Sequence, residues 1–288
     1  MISIVVISKD EPALRETLAE LSQQAGGDDA ELIVVDASSG RLDDVRRLFP
    51  TVVWIDYEPG GAPGAGVTIP HQRNVGLRAG AGDVVVFTDA GCELAPGWLR
   101  SLTAPILDGS EEVTAGPARG SGPWGRLYDR DGATPSTYLD EAPTINLALH
   151  RRVVERVGDF DEAFEYGSDI DYTWRVVASG ARIRAVPEAV VTHDWGSRRR
   201  QVKRSYRYGK ARVRLHRKHA TPLRALPRRE PLLVVYPAFL LGLPLALVFP
   251  PYVLLLAVPA WRARRSQPLA VVVDHLAFGA GALVEALR

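Results

Sequence analysis

The sequence predicts an α/β fold: a doubly wound, mostly parallel sheet followed by an apolar C-terminal tail. Three observations lead there. Through the first two-thirds of the 288 residues, short β-branched runs alternate with stretches of helical periodicity, the pattern of a parallel sheet covered by helices. Two of those runs end in an acid, Asp36 and Asp89, and in such sheets ligands bind outside the carboxyl ends of the strands. From Pro231 the character changes, and Leu232 to Phe249 carries no charge.

The elements follow in order. Ile2–Ile7 reads as a strand buried on both faces, being short and β-branched. Glu11–Gln24 places Leu14, Leu18 and Leu21 at helical spacing. Leu32–Val35 is the next strand, ending at Asp36. A short helix over Asp43–Phe49 leads to a strand at Val52–Ile55. The Gly-rich stretch Gly60–Gly66 lacks the spacing of a dinucleotide fingerprint and does not join strand to helix tightly; it reads as a flap. His71–Ala79 is helical, and Val84–Thr88 is a strand ending at Asp89. Val113 to Glu141, rich in Gly, Pro and Ser, reads as loops. Arg151–Val157 and Ser168–Ser179 read as helices, Ile183–Val186 and Ala189–Thr192 as short strands.

In the tail, Leu232–Phe249 is long enough to cross a bilayer, which takes about 20 apolar residues. Val253–Ala260 is too short alone; it extends the first helix past a proline kink or returns as a re-entrant piece. Leu269–Leu287 is a third apolar stretch, interrupted by Asp274, His275 and Glu285. Three such stretches at one end favour membrane contact over a buried soluble helix.

Composition narrows the setting. Hydrophobic residues are 46% and charged residues 24%, ordinary globular values, and the net charge is +1. The charge is unevenly placed: no acid occurs between Trp195 and Glu230, where Arg or Lys recurs every two or three positions. Such a block can be a solvated helix face, a phosphate-binding patch for nucleic acid or a juxtamembrane segment attracting anionic lipid. The adjoining apolar tail favours the membrane, so no nucleic-acid partner is expected. Loops with excess Lys and Arg stay cytoplasmic. The single cysteine, Cys92, rules out a disulfide within the chain and fits a reducing compartment. The first residues lack a basic region before the apolar run and read as a core strand, not a signal peptide.

The residues able to carry chemistry are mostly acids. Asp36 can accept from a ribose or a base N–H, or simply close an Asx turn in Asp36-Ala37-Ser38-Ser39-Gly40. Asp89 suits an oxygen-seeking cation carrying a diphosphate, or is a turn residue. Arg73 can neutralise phosphate or lie on the surface. Asp169 and Asp171 open a helix but are two apart, so they do not share a face; one can face a cleft while the other caps or meets solvent. His193, at the end of its strand, is a ligand or a packed histidine.

Taken together, in order and spacing, these pieces resemble the family 2 glycosyltransferases of GT-A fold. The matching pieces are Ser3–Lys9, Glu31–Ser38, Arg73-Asn74-Val75-Gly76, Val86–Ala90, Val157–Phe164, Ser168–Arg175 and Gly180, within residues 2 to 195. The resemblance implies a GT-A-type doubly wound, mixed, mostly parallel sheet, with a catalytic domain over 1–195. A basic juxtamembrane connector over 196–230 and membrane-associated helices over 231–288 would follow. It implies a nucleoside diphosphate sugar as donor, with Asp36, Arg73, Asn74 and Asp89 contacting it. It implies Mg²⁺ or Mn²⁺ held by Asp89, with His193 completing the metal or diphosphate site. Asp169 matches the base that deprotonates the acceptor hydroxyl in an inverting displacement. Two departures stand out. The usual Asp-x-Asp is Asp89-Ala90-Gly91, so a second carboxylate must come from elsewhere, with Glu93 the nearest choice. The usual Glu-Asp before the base is Ser168-Asp169.

The expected activity is therefore transfer of a sugar to a hydroxyl acceptor, lipid-linked or of a cell-envelope glycan, at the cell membrane with the catalytic domain cytoplasmic. The tail lacks the repeated spans of a polymer-extruding channel, so processive export is not expected. The competing reading is a non-catalytic sugar-nucleotide or polysaccharide-binding module. A nucleotidyltransferase ranks last, because Ser8-Lys9-Asp10-Glu11-Pro12 is not a Gly-rich loop.

Overall fold

A computed structural model describes residues 1–26, 29–58, 68–122, 125, 136–264 and 267–288. The stretch read as a flap, Gly60–Gly66, lies outside them. The chain forms two compact units, residues 1–119 with 130–193, and residues 120–129 with 194–288.

The first unit begins as the alternation predicts: β1 (Ile2–Ser8), α1 (Leu14–Ala25), β2 (Ala30–Asp36), α2 (Asp43–Leu48), β3 (Val53–Asp56), α3 (Ile69–Ala79) and β4 (Val84–Asp89). It continues with β5 (Cys92–Leu94), α4 (Trp98–Leu107), β6 (Val113–Ala115), β7 (Ala118–Ser121), β8 (Tyr138–Leu139) and β9 (Asn146–His150). Then come α5 (Arg151–Val157), α6 (Ser168–Ala178), β10 (Ile183–Ala185) and β11 (Val191–Asp194). The main sheet has the order β3-β2-β1-β4-β9-β6-β10-β8. From β3 through β4 all pairings are parallel; β9 runs antiparallel between β4 and β6, and β8 is antiparallel to β10. The predicted mixed, mostly parallel sheet is therefore present. A smaller sheet has the order β5-β11-β7.

Every residue of β1 is buried, as a central strand of a two-sided sheet must be. The helix α3 starts with Pro70 in its first turn, where the missing N–H costs nothing. It lies so close to the sheet that a Cβ on Gly76 would collide with the Val5 side chain. Val5, Ile33, Phe87, Leu147, Leu149 and Tyr172 belong to one buried cluster.

The reading of Val113–Glu141 as loops is corrected by β6, β7 and β8. Each has two to four residues, too short to show periodicity, and each is held by strands distant in sequence: β6 by β9 and β10, β7 by β11 and β8 by β10. The helix α4, which drew no assignment from the sequence, buries Trp98, Leu99, Leu102 and Ile106 at helical spacing despite Pro105.

The second unit is helical: α7 (Arg198–Lys218), a 3₁₀ turn at Leu223–Ala225, α8 (Leu226–Arg229) and α9 (Leu232–Leu241). Two 3₁₀ segments follow, Leu243–Leu247 and Pro250–Leu256, then α10 (Ala257–Arg262) and α11 (Pro268–Ala286). The expected long helix over Leu232–Phe249 is not formed. Gly242 follows Leu241, and Pro244, Pro250 and Pro251 remove donors that a continuing helix would need. Among the described residues one helix, α11, is long and apolar enough to cross a membrane, by length and composition.

Candidate active site

The site is assembled at the carboxyl ends of β1, β2 and β4, where the strand order switches. Register sets Asp36 beside Ser8 and Asp89 beside Ile7. The two acids therefore flank β1, about 10 Å apart across two strand spacings.

Asp36 is 9% exposed. Its Oδ1 accepts from the Ser38 backbone N–H at 3.1 Å and the Ser38 hydroxyl at 2.5 Å. Ser38 in turn accepts from the Asp10 N–H at 2.8 Å. Ser39 and Gly40 both have positive φ, so the chain leaves the strand sharply. The Asx turn is thus present, and it fixes the direction of the carboxylate. Nearby, hydrogen bonding from Arg41 holds the exposed Asp10 carboxyl below its ordinary value.

The first turns of α3 supply the rest. Gln72, missed by the sequence reading, is buried and donates to Ser8 O at 3.0 Å and Val35 O at 3.1 Å, tying the ends of β1 and β2 together. Arg73 is buried, and its guanidinium donates to Asp89 Oδ1 at 3.1 Å. Asn74 is buried with both ends of its amide engaged: Nδ2 donates to Phe160 O and Glu162 Oε1, and Oδ1 accepts from the Phe160 N–H. It therefore holds the 160–162 segment in place. His71 Nδ1 lies 2.9 Å from the other oxygen of Glu162. Burial alone would raise the Glu162 carboxyl, but the hydrogen bonds from Asn74 and His71 outweigh it and bring it below its usual value.

After β4 the chain turns at Gly91, whose φ of 83° is costly for any residue with a side chain. A Cβ there would lie 3.3 Å from the Glu11 side chain and 3.6 Å from His193 Cε1. Glu11 and His193 thus both border Gly91. His193 Nδ1 is 3.2 Å from Gly91 O, and β11 pairs it directly with Cys92. Burial, reinforced by the charge of Asp89, pushes the Cys92 thiol up to about 12; this removes it as a nucleophile.

Glu93 does not join this group. Along β5, Cys92 and Leu94 are buried and Glu93 is exposed, so strand alternation turns it to the face opposite His193. Among the described residues no three His, Cys, Asp or Glu side chains gather as a metal ion would require, and one Asp89 oxygen is already taken by Arg73. The set Asp89, Glu93 and His193 does not by itself fit a cation.

Asp169 stands in the first turn of α6, after Gly167 in the left-handed region. It is partly exposed, and its Oδ1 accepts from the Ile170 N–H at 2.9 Å. Asp171 is wholly buried and pairs with Arg175 at 3.0 Å, which also donates to Val157 O and Asp159 O. The two acids divide as helix geometry requires, one outward and one inward. An aromatic stack seats α6 against β4: Phe87 meets Phe160 edge-on at 5.4 Å, and Phe160 stacks on Tyr172 at 4.1 Å. The Arg73 guanidinium lies 6.0 Å from the Phe160 ring. The same stack thereby joins the helix of Asp169 to the Arg73–Asp89 pair.

No family model matches the chain. It is similar to the pre-mycofactocin glycosyltransferase of Mycobacterium tuberculosis, 31% identical over 136 residues, which are 42% of this chain and 29% of that protein. It is also similar to the glycosyltransferase AglE of Haloferax volcanii, 24% identical over 199 residues, 64% of this chain and 63% of that protein. The chain thus spans less than two thirds of either relative.

Among solved structures, the mannosyltransferase PcManGT from Pyrobaculum calidifontis, in complex with GDP-Man and Mn²⁺, superimposes with a TM-score of 0.70. It is 19% identical, and the match covers 99% of this chain and 86% of that one. GalNAc-T7 with UDP, GalNAc and Mn²⁺ gives 0.55 at 16% identity, covering 80% and 56%. The fold is that of the GT-A glycosyltransferases, and the curated relatives are glycosyltransferases.

Proposed function

We propose that the chain is an inverting glycosyltransferase of the family 2 type, moving a sugar from a nucleoside diphosphate sugar to a hydroxyl acceptor. The observation that carries this reading is the strand-end arrangement: Asp36 and the Arg73–Asp89 pair flanking β1, with the helix of Asp169 seated beside them. Asp36, aimed by its turn, accepts from the nucleoside. Arg73 meets the negative charge of the diphosphate, with Asp89 orienting it. Asn74 acts at one remove, holding the 160–162 segment. Asp169 removes the proton from the acceptor hydroxyl as that oxygen attacks the anomeric carbon, while the nucleoside diphosphate leaves from the opposite face. Mg²⁺ or Mn²⁺ enters the proposal only as an ion that would come with the diphosphate, because Asp89, Glu93 and His193 do not by themselves form a site for it.

Residues 1–195 form the catalytic domain, 196–230 the basic connector and 231–288 the membrane-associated helices. Membrane attachment by the apolar C-terminal helices, with the catalytic domain in the cytoplasm, suits a lipid-linked or cell-envelope glycan acceptor. The test is a thermal-shift screen with UDP-, GDP- and TDP-sugars, each with and without Mn²⁺, followed by transfer assays. A ligand that binds only the folded chain raises its melting temperature. Asp169→Asn is expected to lower transfer by roughly 10²–10⁴-fold, the usual share of a general base, with the donor shift retained. Unchanged transfer would remove Asp169 from this role. The alternative, a non-catalytic sugar-nucleotide-binding module, would give a donor shift with no turnover.

A further inference from the structure

The second unit carries apolar side chains on its outside. Leu247 and Val248 are 89% and 88% exposed, and Leu241, Phe249, Leu254 and Trp261 are exposed as well. They belong to a segment that reverses direction. The ten-residue helix α9 rises about 15 Å, half of a hydrocarbon core of about 30 Å. Beyond it the chain folds back: Tyr252 stacks on Phe239 at 5.1 Å and 7°, and its hydroxyl donates to Phe239 O at 2.9 Å. A Cβ on Gly242 would collide with that hydroxyl. The tip between them is closed by backbone bonds from Leu245 N to Gly242 O, Val248 N to Leu245 O and Tyr252 N to Phe249 O. Its prolines bring no N–H, so the reversal leaves few donors bare, which a lipid environment demands.

The helix α11 has the length and hydropathy of a span, but it is bound lengthwise to a helix that cannot enter hydrocarbon. Ser205 donates to Asp274, the backbones meet at Gly209 against Phe278 and at Gly281 against Tyr206, and Arg214 reaches Glu285 at 2.8 Å. Ser205 against Asp274, Arg214 against Glu285 and Arg217 against the Ala286 carbonyl advance together along both helices, so α7 and α11 run parallel. The helix α7 carries Arg or Lys at every second or third position, and such side chains are costly at the bilayer centre. Glu285 is itself buried among Arg214, Lys210 and Arg288. Along one side of the pair an open groove of about 680 Å³ is lined by Arg198, Arg199, Val202, Lys203, Tyr206 and Ala277. Cations there stand beside apolar surface, the combination that fits a lipid phosphate above its acyl chains.

We infer that this unit is a single-leaflet anchor. The Leu232–Arg262 hairpin dips into one leaflet of an anionic bilayer and returns, while α7 and α11 lie together in the headgroup layer, and no segment of the unit crosses. The inference rests on the proposed membrane attachment but not on the transfer chemistry.

The experiment places single cysteines at Lys218, Val248, Arg264 and Arg288 of the full chain. The native Cys92, buried with its thiol at about 12, stays silent to maleimide. Intact cells and inverted membrane vesicles are treated with a membrane-impermeant maleimide. Lys218→Cys, Arg264→Cys and Arg288→Cys are expected to label only from the cytoplasmic face, and Val248→Cys only after detergent. In flotation with phosphatidylcholine vesicles containing phosphatidylglycerol, Val248→Glu is expected to bind roughly tenfold less than wild type. Labelling of Lys218 and Arg264, or of Arg264 and Arg288, from opposite faces would overturn the single-leaflet arrangement alone. A chain that stays in the soluble fraction as an oligomer with Val248 protected would overturn membrane attachment itself.

Discussion

Leu147 and Leu247 carry the same side chain in opposite surroundings. Leu147 has none of its surface exposed and sits in the sheet core, whereas Leu247 has 89% exposed at the tip of the C-terminal hairpin. The contrast extends to their units. The first hides most of its aliphatic and aromatic side chains between sheet and helices. The second buries Leu215, Tyr236 and Phe239 alongside Gln201, Ser205, His216 and Glu285, and turns Leu241, Val248, Phe249 and Trp261 outward. An exposed apolar patch of this kind marks an interaction site. Under the proposed membrane attachment, the two units meet different surroundings, water around the sheet and lipid around the tail.

The largest expected effect follows from that contrast. Leu147→Ala should destabilise the protein by about 2–5 kcal/mol, as large-to-small core changes do. Leu247→Ala should change stability by less than about 0.5 kcal/mol and weaken vesicle binding. Denaturant melts of the two variants in detergent measure the difference, and equal losses would mean that the tip is packed like a core.

Close helix approaches give a smaller pair. A Cβ on Gly76 would meet the Val5 side chain, and one on Gly281 would meet the Tyr206 backbone. Gly76→Ala and Gly281→Ala should each cost about 1–3 kcal/mol by overpacking. Gly76→Ala should lower the donor-induced shift along with stability, because the same helix carries Arg73. Gly281→Ala should leave that shift intact and reduce membrane binding.

Arg73→Gln removes the buried partner of a partly exposed Asp89. The expected loss is about 2 kcal/mol, the value of a hydrogen bond to a charged group, together with weaker donor binding by thermal shift. Unchanged donor binding would show that Arg73 only holds the fold.

The smallest effect is one of pH. The Glu162 carboxyl is held below its ordinary value of 4.5 by Asn74 and His71. A lowered carboxylate contributes stability that is fully present above its unfolded value and disappears as the pH falls through the folded one. Glu162 is 40% exposed, so solvent screening limits this to about 0.5 kcal/mol. The gap in melting temperature between wild type and Glu162→Gln should be present at pH 7 and shrink below pH 4.5.

The sequence by itself determined the α/β alternation, the strand ends at Asp36 and Asp89, the two acids at the start of α6 and the apolar nature of the tail. Each is written in local order: β-branched runs, helical spacing, and a charge where an apolar run stops. Only the tertiary structure decided the remainder. The strands β6, β7 and β8 have two to four residues each and exist through partners far away in sequence. Gln72 has no periodic signature, and its role appears only when the ends of β1 and β2 lie side by side. Glu11 and His193 both border Gly91, and Glu93 turns away, because sheet pairing and strand alternation place them so. Hydropathy likewise read Leu232–Phe249 as one helix long enough to cross a bilayer and Leu269–Leu287 as an interrupted apolar stretch. The structure ends the first helix at Leu241, with Tyr252 folded back onto Phe239, and packs the second along α7, because composition records what a segment can dissolve in but not which neighbour it is tied to.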